Sequence, residues 1–288
     1  MSDKYVKELA LTDWVNDAPP SQRNFREAVH IVLSAISTSA SLRHKMVMKG
    51  GQLMAIRYDS TRFTRDVDFS TRDKYTKADH DSLLSELDAQ IQSANDQLPY
   101  DTMCRRQATK LEPSRDDASF PTLSVSIGFA PRSKPLQLAK LKAGQSPTVV
   151  QIDYSYNEAV YDIETLSLLG GDELLAYSLN NLLAEKLRSL LQQPVRKRNR
   201  RQDVYDLHML LTQCKPLSAE ELLQVKTHLV LSCKTRHIDA VRTSISDPRV
   251  RQMAAKEYES LADEIEEELP GFDAAFEIVQ RFYEALPW

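Results

Sequence analysis

The chain has 288 residues, 42% of them hydrophobic and 27% charged, with a formal net charge of −4. That length suits two domains, or one domain with a large helical extension, and the composition excludes a disordered chain. The acidic balance excludes a protein that coats nucleic acid over its whole surface, although a local basic patch remains open.

Charged residues crowd the N-terminal stretch (Asp3, Lys4, Lys7, Glu8, Asp13 and Asp17), so no apolar core for a signal peptide is expected there. No run of 18 apolar residues occurs, and the three cysteines, Cys104, Cys214 and Cys233, form no CxxC pair. Together these features predict a cytoplasmic protein with no membrane association.

In chain order, Ser21 is positioned to cap a helix that carries Phe25, Val29, Val32 and Ile36 on one side. The apolar Met46-Val47-Met48 leads into Lys49-Gly50-Gly51, and Leu53-Met54-Ala55-Ile56 reads as a brief helix. Arg65 to Ser70 alternates with period two and reads as a strand. Residues 76–98 read as a helix with Leu83, Leu84, Leu87, Ile91 and Leu98 on one side. Strands are expected through Leu123, Val125, Ile127 and Phe129, and through Val150, Ile152 and Tyr154. A last short strand falls near Tyr161-Asp162-Ile163.

Gly170-Gly171 marks the expected boundary, giving an α/β domain over residues 1–168 and a helical domain over 169–288. Beyond the boundary, helices are expected from Ser178 to about Gln192, from near Gln202, and from a capping box at Ser218-Ala219-Glu220-Glu221. Two more cover roughly 248–269 and 272–286. Glu264-Ile265-Glu266-Glu267-Glu268 reads as a solvated helix face.

Asp66 and Asp68 are two positions apart on a strand and so share a face, while Val67 and Phe69 share the other. Two adjacent carboxylates repel unless a cation lies between them. Mg²⁺ takes hard oxygen ligands and accepts one or two carboxylates plus substrate phosphates. The alternative is a solvated strand edge with two surface acids. Asp153 sits in a strand of the same design. If the strands pair, three carboxylates meet on one face, enough to hold two metal ions.

Gly50 and Gly51 would let backbone amides approach phosphate at a helix start, although such a pair usually marks only a turn. Lys186 lies within the apolar stripe of Leu179, Leu182, Leu183, Leu187 and Leu190. A lysine there either meets an anion or sits at the stripe's edge. Arg196, Lys197, Arg198, Arg200 and Arg201 make a dense basic run before a helix, either a solvated loop or a surface for an RNA backbone. Asp203 favours that helix's N-terminus. The histidines and cysteines show no zinc-ligand spacing, and there is no GxSxG.

Four segments in this order resemble the AbiEii/AbiGii toxin family of nucleotidyltransferases, relatives of the MenT toxins in the DNA polymerase β-like superfamily. They are Met48-Lys49-Gly50-Gly51, Arg62-Phe63-Thr64-Arg65-Asp66-Val67-Asp68-Phe69, Ala184-Glu185-Lys186-Leu187, and Arg201-Gln202-Asp203-Val204-Tyr205-Asp206-Leu207. Thr64 stands where the family often has Ser. The resemblance covers about residues 20–215.

It implies a polymerase β-like domain with a mixed sheet and a helical C-terminal domain. It also implies Mg²⁺, a nucleoside triphosphate, transfer to RNA at the tRNA acceptor end, a block of translation, a neighbouring antitoxin and a place in a toxin–antitoxin or phage-defence system. On the residues it implies metal ligation by Asp66, Asp68 and Asp153. Nucleotide binding falls to Lys49, Gly50, Gly51, Arg62, Thr64 and Lys186, and catalytic roles to Lys186 and Asp203. Transfer to a small molecule, transfer to a protein hydroxyl, and a degenerate nucleotide-binding module are the alternatives.

Overall fold

The computed structural model describes residues 9–114 and 118–288, so Asp3, Lys4, Lys7 and Glu8, four of the six charges named in the N-terminal stretch, lie outside the described residues. The chain divides into two compact units. One comprises residues 1–57 and 64–176, the other residues 58–63 and 177–288. The second unit therefore takes a short piece out of the middle of the first.

The first unit is built on a seven-stranded sheet. Its strands are β1 (Val47–Lys49), β2 (Asp66–Ser70), β3 (Thr102–Glu112), β4 (Thr122–Pro131), β5 (Val149–Ser155), β6 (Ile163–Ser167) and β7 (Glu173–Tyr177), in spatial order β3-β4-β5-β2-β1-β7-β6. β3 is antiparallel to β4 and β4 to β5, β2 is parallel to β5, β1 is antiparallel to β2, and β1 is parallel to β7. The sheet is thus mixed, as expected.

Helices α1 (Leu11–Asn16), α2 (Arg23–Thr38), α3 (Ala40–Lys45), α4 (Gly50–Arg57), α5 (Lys77–Gln97) and α6 (Pro135–Lys142) complete this unit. α2 packs on α5 and on β3, β4 and β5. It is the core helix: Val29, Ile31, Val32, Leu33 and Ile36 are fully buried. Val67 and Phe69 of β2 pair with Ile152 and Tyr154 of β5, and all four are buried. Apolar burial of this kind is the main stabilising term, about 1.5–3 kcal/mol for each large side chain.

Asn95 extends the core hydrogen bonding. It donates to the Cys104 carbonyl and accepts from the Cys104 amide, both at 2.8 Å, as a neighbouring strand would. Thr76 caps α5 through the Asp79 amide.

The second unit is helical: α7 (Leu179–Arg196), α8 (Arg201–Gln213), α9 (Ala219–Lys234), α10 (Pro248–Ala255) and α11 (Phe272–Ala285), with 3-10 turns at Ser244–Ser246 and Tyr258–Glu264. α7 packs against α8, α9 and α10, and α11 packs on α8. Ser178 caps α7, and Ser218 with Glu221 forms the expected capping box on α9.

Several expectations need correction. α2 starts at Arg23 after a turn closed by the Gln22 amide on the Pro19 carbonyl, with no side-chain cap from Ser21. The strand near Tyr161 starts at Ile163. β7 follows Gly170-Gly171, where only helix was expected. The single helix over 248–269 is broken, because Glu257 takes a left-handed φ of 62° between α10 and the 3-10 turn. Glu264 closes that turn in ion pairs and Ile265 is buried, whereas Glu266, Glu267 and Glu268 are exposed as expected but follow the turn instead of lying on a helix. Among the described residues no helix is long and apolar enough to cross a membrane.

Candidate functional site

The parallel register of β2 on β5 sets Asp68 directly opposite Asp153 and Asp66 opposite Gln151. Directly opposed side chains share a face, and so do residues two apart. Asp66, Asp68 and Asp153 therefore lie on one face of the sheet, opposite the apolar side. β4 places Ser124 opposite Asp153, and its hydroxyl donates to Asp153 Oδ1 at 2.6 Å. On the other flank β1 places Lys49 opposite Asp68. The Lys49 ammonium reaches toward Ser155 Oγ at 3.5 Å. Four strands thus carry one row: Ser124, Asp153, Asp68, Lys49.

Gly50 closes this row. Its φ is 73°, and a Cβ there would lie 2.1 Å from Asp68 Oδ2. The Asp68 carboxylate is therefore pressed against the first residue of α4, where the free amides of a helix start favour an anion. Gly51 and Gln52 are buried behind it, and Gln52 donates to the Thr64 carbonyl at 2.7 Å. The Thr64 hydroxyl accepts from the Asp66 amide at 3.4 Å, so Thr64 shapes the entry into β2.

A hard divalent cation suits this donor set: carboxylates on one face, one of them steadied by Ser124, beside a glycine cradle. Asp66 is exposed and Asp68 and Asp153 are half-buried. Among the described residues no three such ligands are already gathered around one point. A cation would thus be held by one or two carboxylates together with substrate oxygens.

The second unit holds a buried cluster of charges. Arg62 forks onto Asp206, Nε to Oδ1 at 2.9 Å and Nη2 to Oδ2 at 3.2 Å. Lys186 donates to Asp206 Oδ2 at 2.6 Å and to Asp203 Oδ1 at 3.1 Å. Asp206 is 0% exposed, Lys186 and Asp203 4%. Burial drives the Lys186 ammonium toward losing its proton, but Asp206 and Asp203 outweigh it and raise its pKa. Burial likewise pushes the Asp206 carboxyl up, but Arg62 and Lys186 outweigh it and hold it below its ordinary value. Arg62, Lys186 and Asp206 therefore stay charged at neutral pH.

Segment 58–63 is fixed to this unit by three anchors: the Arg62 fork, the Phe63 amide on the Glu264 carbonyl at 2.6 Å, and Thr61 Oγ1 with Tyr205 Oη at 3.4 Å. Arg201 pairs with Glu264 at 2.8 Å. Arg196, Lys197 and Arg198 are exposed, and Lys197 takes a left-handed φ of 52° as the cap of α7. The Arg200 amide donates to Gln193 Oε1 at 2.7 Å.

The expected residues thus fall into two sets, each assembled within its own unit: Lys49, Gly50, Gly51, Thr64, Asp66, Asp68 and Asp153 in one; Arg62, Lys186, Asp203 and the basic run in the other. Asp206, the hub of the second set, was passed over. Its signal was available: it lies with Val204, Leu207 and Leu210 on the apolar stripe of α8, the same anomaly that singled out Lys186.

Residues 31–278 match the family model described as nucleotidyl transferase AbiEii toxin, type IV TA system. The chain belongs to this family. Four in-order AbiEii-like segments fall within or at the edges of the two clusters just described. The fold is shared with two solved structures from Helicobacter pylori. The crystal structure of JHP933 is 14% identical, with a TM-score of 0.54 over 94% of this chain and 93% of that one. A second, described as a "putative nucleotidyltransferase", is 12% identical, with a TM-score of 0.51 over 93% of this chain and 96% of the other. The search of curated proteins gave no match. As an AbiEii family member, the chain is a nucleotidyltransferase of the toxin side of a toxin–antitoxin system, which implies an antitoxin partner.

Proposed function

We propose that this AbiEii-family protein transfers nucleotides from a nucleoside triphosphate to RNA, at the acceptor end of tRNA, and so blocks translation until its antitoxin counters it. The observation that carries the chemistry is the β2–β5 register that puts Asp68 beside Asp153, with Asp66 on the same face.

Mg²⁺ bound there would neutralise the triphosphate and polarise the phosphorus under attack. Asp66 and Asp68 would hold it, and Asp153, oriented by Ser124, would help hold a second ion and orient the attacking hydroxyl. Lys49, Gly50 and Gly51 would receive phosphate oxygens at the start of α4. Positioning and charge neutralisation dominate transfers of this kind.

Asp203 and Asp206 take two of the three Lys186 N–H donors, which leaves one for a phosphate oxygen. The two buried carboxylate partners favour a role in holding α7 to α8. Arg62 is in the same position, since its guanidinium is already forked onto Asp206. Asp203 keeps one buried oxygen without a partner among the described residues, which leaves it the member of this cluster able to accept a further proton donor.

The test is incubation of the purified protein with each labelled triphosphate, Mg²⁺ and total cellular RNA, beside the Asp66→Ala variant. Label in the tRNA fraction, lost in the variant, is the expected result. Label in a small hydroxylated acceptor or a protein, with none in RNA, would overturn the acceptor assignment.

A further inference from the structure

From Ala118 through Ile152 the sequence contains no Asp or Glu, although 41 of 288 residues are acidic. The same stretch carries Arg132, Lys134, Lys140 and Lys142. All four lie on or beside α6; they are not consecutive, so no basic run marks them in the sequence.

α6 is a surface helix. It rests on β3 and β4, only Leu141 is buried, and Lys134, Lys140 and Lys142 are exposed. None of the three lysines forms an ion pair with a described residue. Arg105 of β3 joins them by donating to the Lys142 carbonyl at the helix end. The acid at the foot of the helix, Asp101, is occupied by the Ser133 amide and hydroxyl. Eight helical residues span about 12 Å, so the lysines form one compact cationic lobe. Leu136, 83% exposed, stands one turn before Lys140 and offers an aliphatic surface beside the charge.

The position of the lobe matters more than its charge. It joins β4 to β5 and lies beyond the sheet end where β5 begins, with Gly128 paired to Val149 and Thr102 to Pro131. β2 enters the sheet from the same end, since Asp66 is paired with Gln151 in parallel register. Gln151 is two residues inside Val149, about 7 Å along the strand. The α6 lobe therefore sits at the end of the sheet from which the acid-bearing strands start.

We infer that α6 with Lys134, Lys140 and Lys142 is a docking surface for the phosphate backbone of the nucleic acid acceptor. The inference rests on the RNA reading above. A string of cations without intervening acid suits a polyanion of repeated phosphates, which it would hold near the Asp66 end of the acidic face.

The test measures binding of fluorescein-labelled bulk tRNA by anisotropy, without nucleotide, over a salt series. Wild type is compared with a Lys134→Gln, Lys140→Gln, Lys142→Gln variant and with the corresponding triple Lys→Arg variant. Loss of three phosphate contacts should raise Kd roughly ten- to a hundred-fold near 0.1 M salt and flatten the log–log salt slope by about two units. The triple Arg variant should bind as wild type does. An unchanged Kd and slope in the Gln variant would overturn the inference. So would tighter binding of poly-glutamate than of tRNA, which would make the lobe a site for an acidic protein. The nucleotide-transfer assay on the same preparations separates the two readings. RNA labelled by a Gln variant with unaltered binding leaves the function standing without this surface. Lysine-dependent tRNA binding by a wild type that labels no RNA leaves the surface standing and removes the acceptor assignment.

Discussion

Asp206→Asn is the substitution most sharply constrained by the structure. The Asp206 carboxylate is fully buried and receives three hydrogen bonds, two from Arg62 and one from Lys186. The amide keeps the volume but removes the charge, which leaves two buried cations facing Asp203 and the half-buried Glu264. Breaking a buried pair by removing one partner costs about 3–5 kcal/mol. For a unit of this size that lowers Tm by roughly 10–20 °C.

Circular dichroism melts of the purified variant measure the shift. The double variant Asp206→Asn, Lys186→Met should lose less than the sum of the single losses, with a coupling of at least about 1 kcal/mol, because it also removes one stranded cation. A pH series adds the sign. The folded Asp206 carboxyl titrates below its unfolded value, so its stabilisation is complete above about pH 4 and is lost as pH falls further. A variant melting within about 2 °C of wild type, or additive double-variant losses, would refute the view that this cluster holds the helical unit together.

Asp66→Ala and Asp68→Ala should each lower transfer by roughly two or more orders of magnitude and leave the melting curve intact, since both side chains lie off the apolar face; steady-state kinetics and a melt check both halves. Gly50→Ala places a methyl group against Asp68 Oδ2 at a left-handed φ. It should lower activity and cost at least about 1 kcal/mol; activity and stability at the wild-type level would mean that Gly50 is not a tight cradle. His30, buried and hydrogen-bonded through Nδ1 to Tyr100 Oη at 2.7 Å, has its pKa lowered by burial to about 4. The protein should therefore lose up to roughly 3 kcal/mol as pH falls from about 6.5 toward 4. In His30→Gln that part of the pH dependence should disappear from the melting curves.

The acidic face was legible because period-two alternation is local: Val67, Phe69, Ile152 and Tyr154 declare one side, and Asp66, Asp68 and Asp153 the other. What the pattern could not contain was the register, because parallel pairing of β2 with β5 is a contact between distant segments. β3 and β7 were missed for a related reason. The outer half of β3 is exposed and charged, with a bulge between Arg106 and Ala108, so it shows no clean alternation. β7 is short and follows a Gly pair that reads as a terminator. Helix ends were legible where a side chain makes the cap, as at Ser178 and Ser218, and illegible where backbone alone does, as at Gln22 and Glu257. Arg62 read as part of the acidic motif because it is four residues from Asp66. Its partner, Asp206, lies 144 positions away, and only a buried acid in an apolar stripe hints at it.

That separation bears on how the protein is made. Segment 58–63 leaves the ribosome long before α7 and α8 exist, and translation proceeds at about 5–20 residues per second. Arg62 therefore waits roughly 7–30 s for Asp206, with its guanidinium in water. Until then the link from α4 to β2 has none of its three anchors in the helical unit. The nascent chain must carry this loop unclamped while the sheet around it assembles. A helper that engages the chain during synthesis would find Ser60 and Arg62, buried in the folded protein, accessible only in that interval.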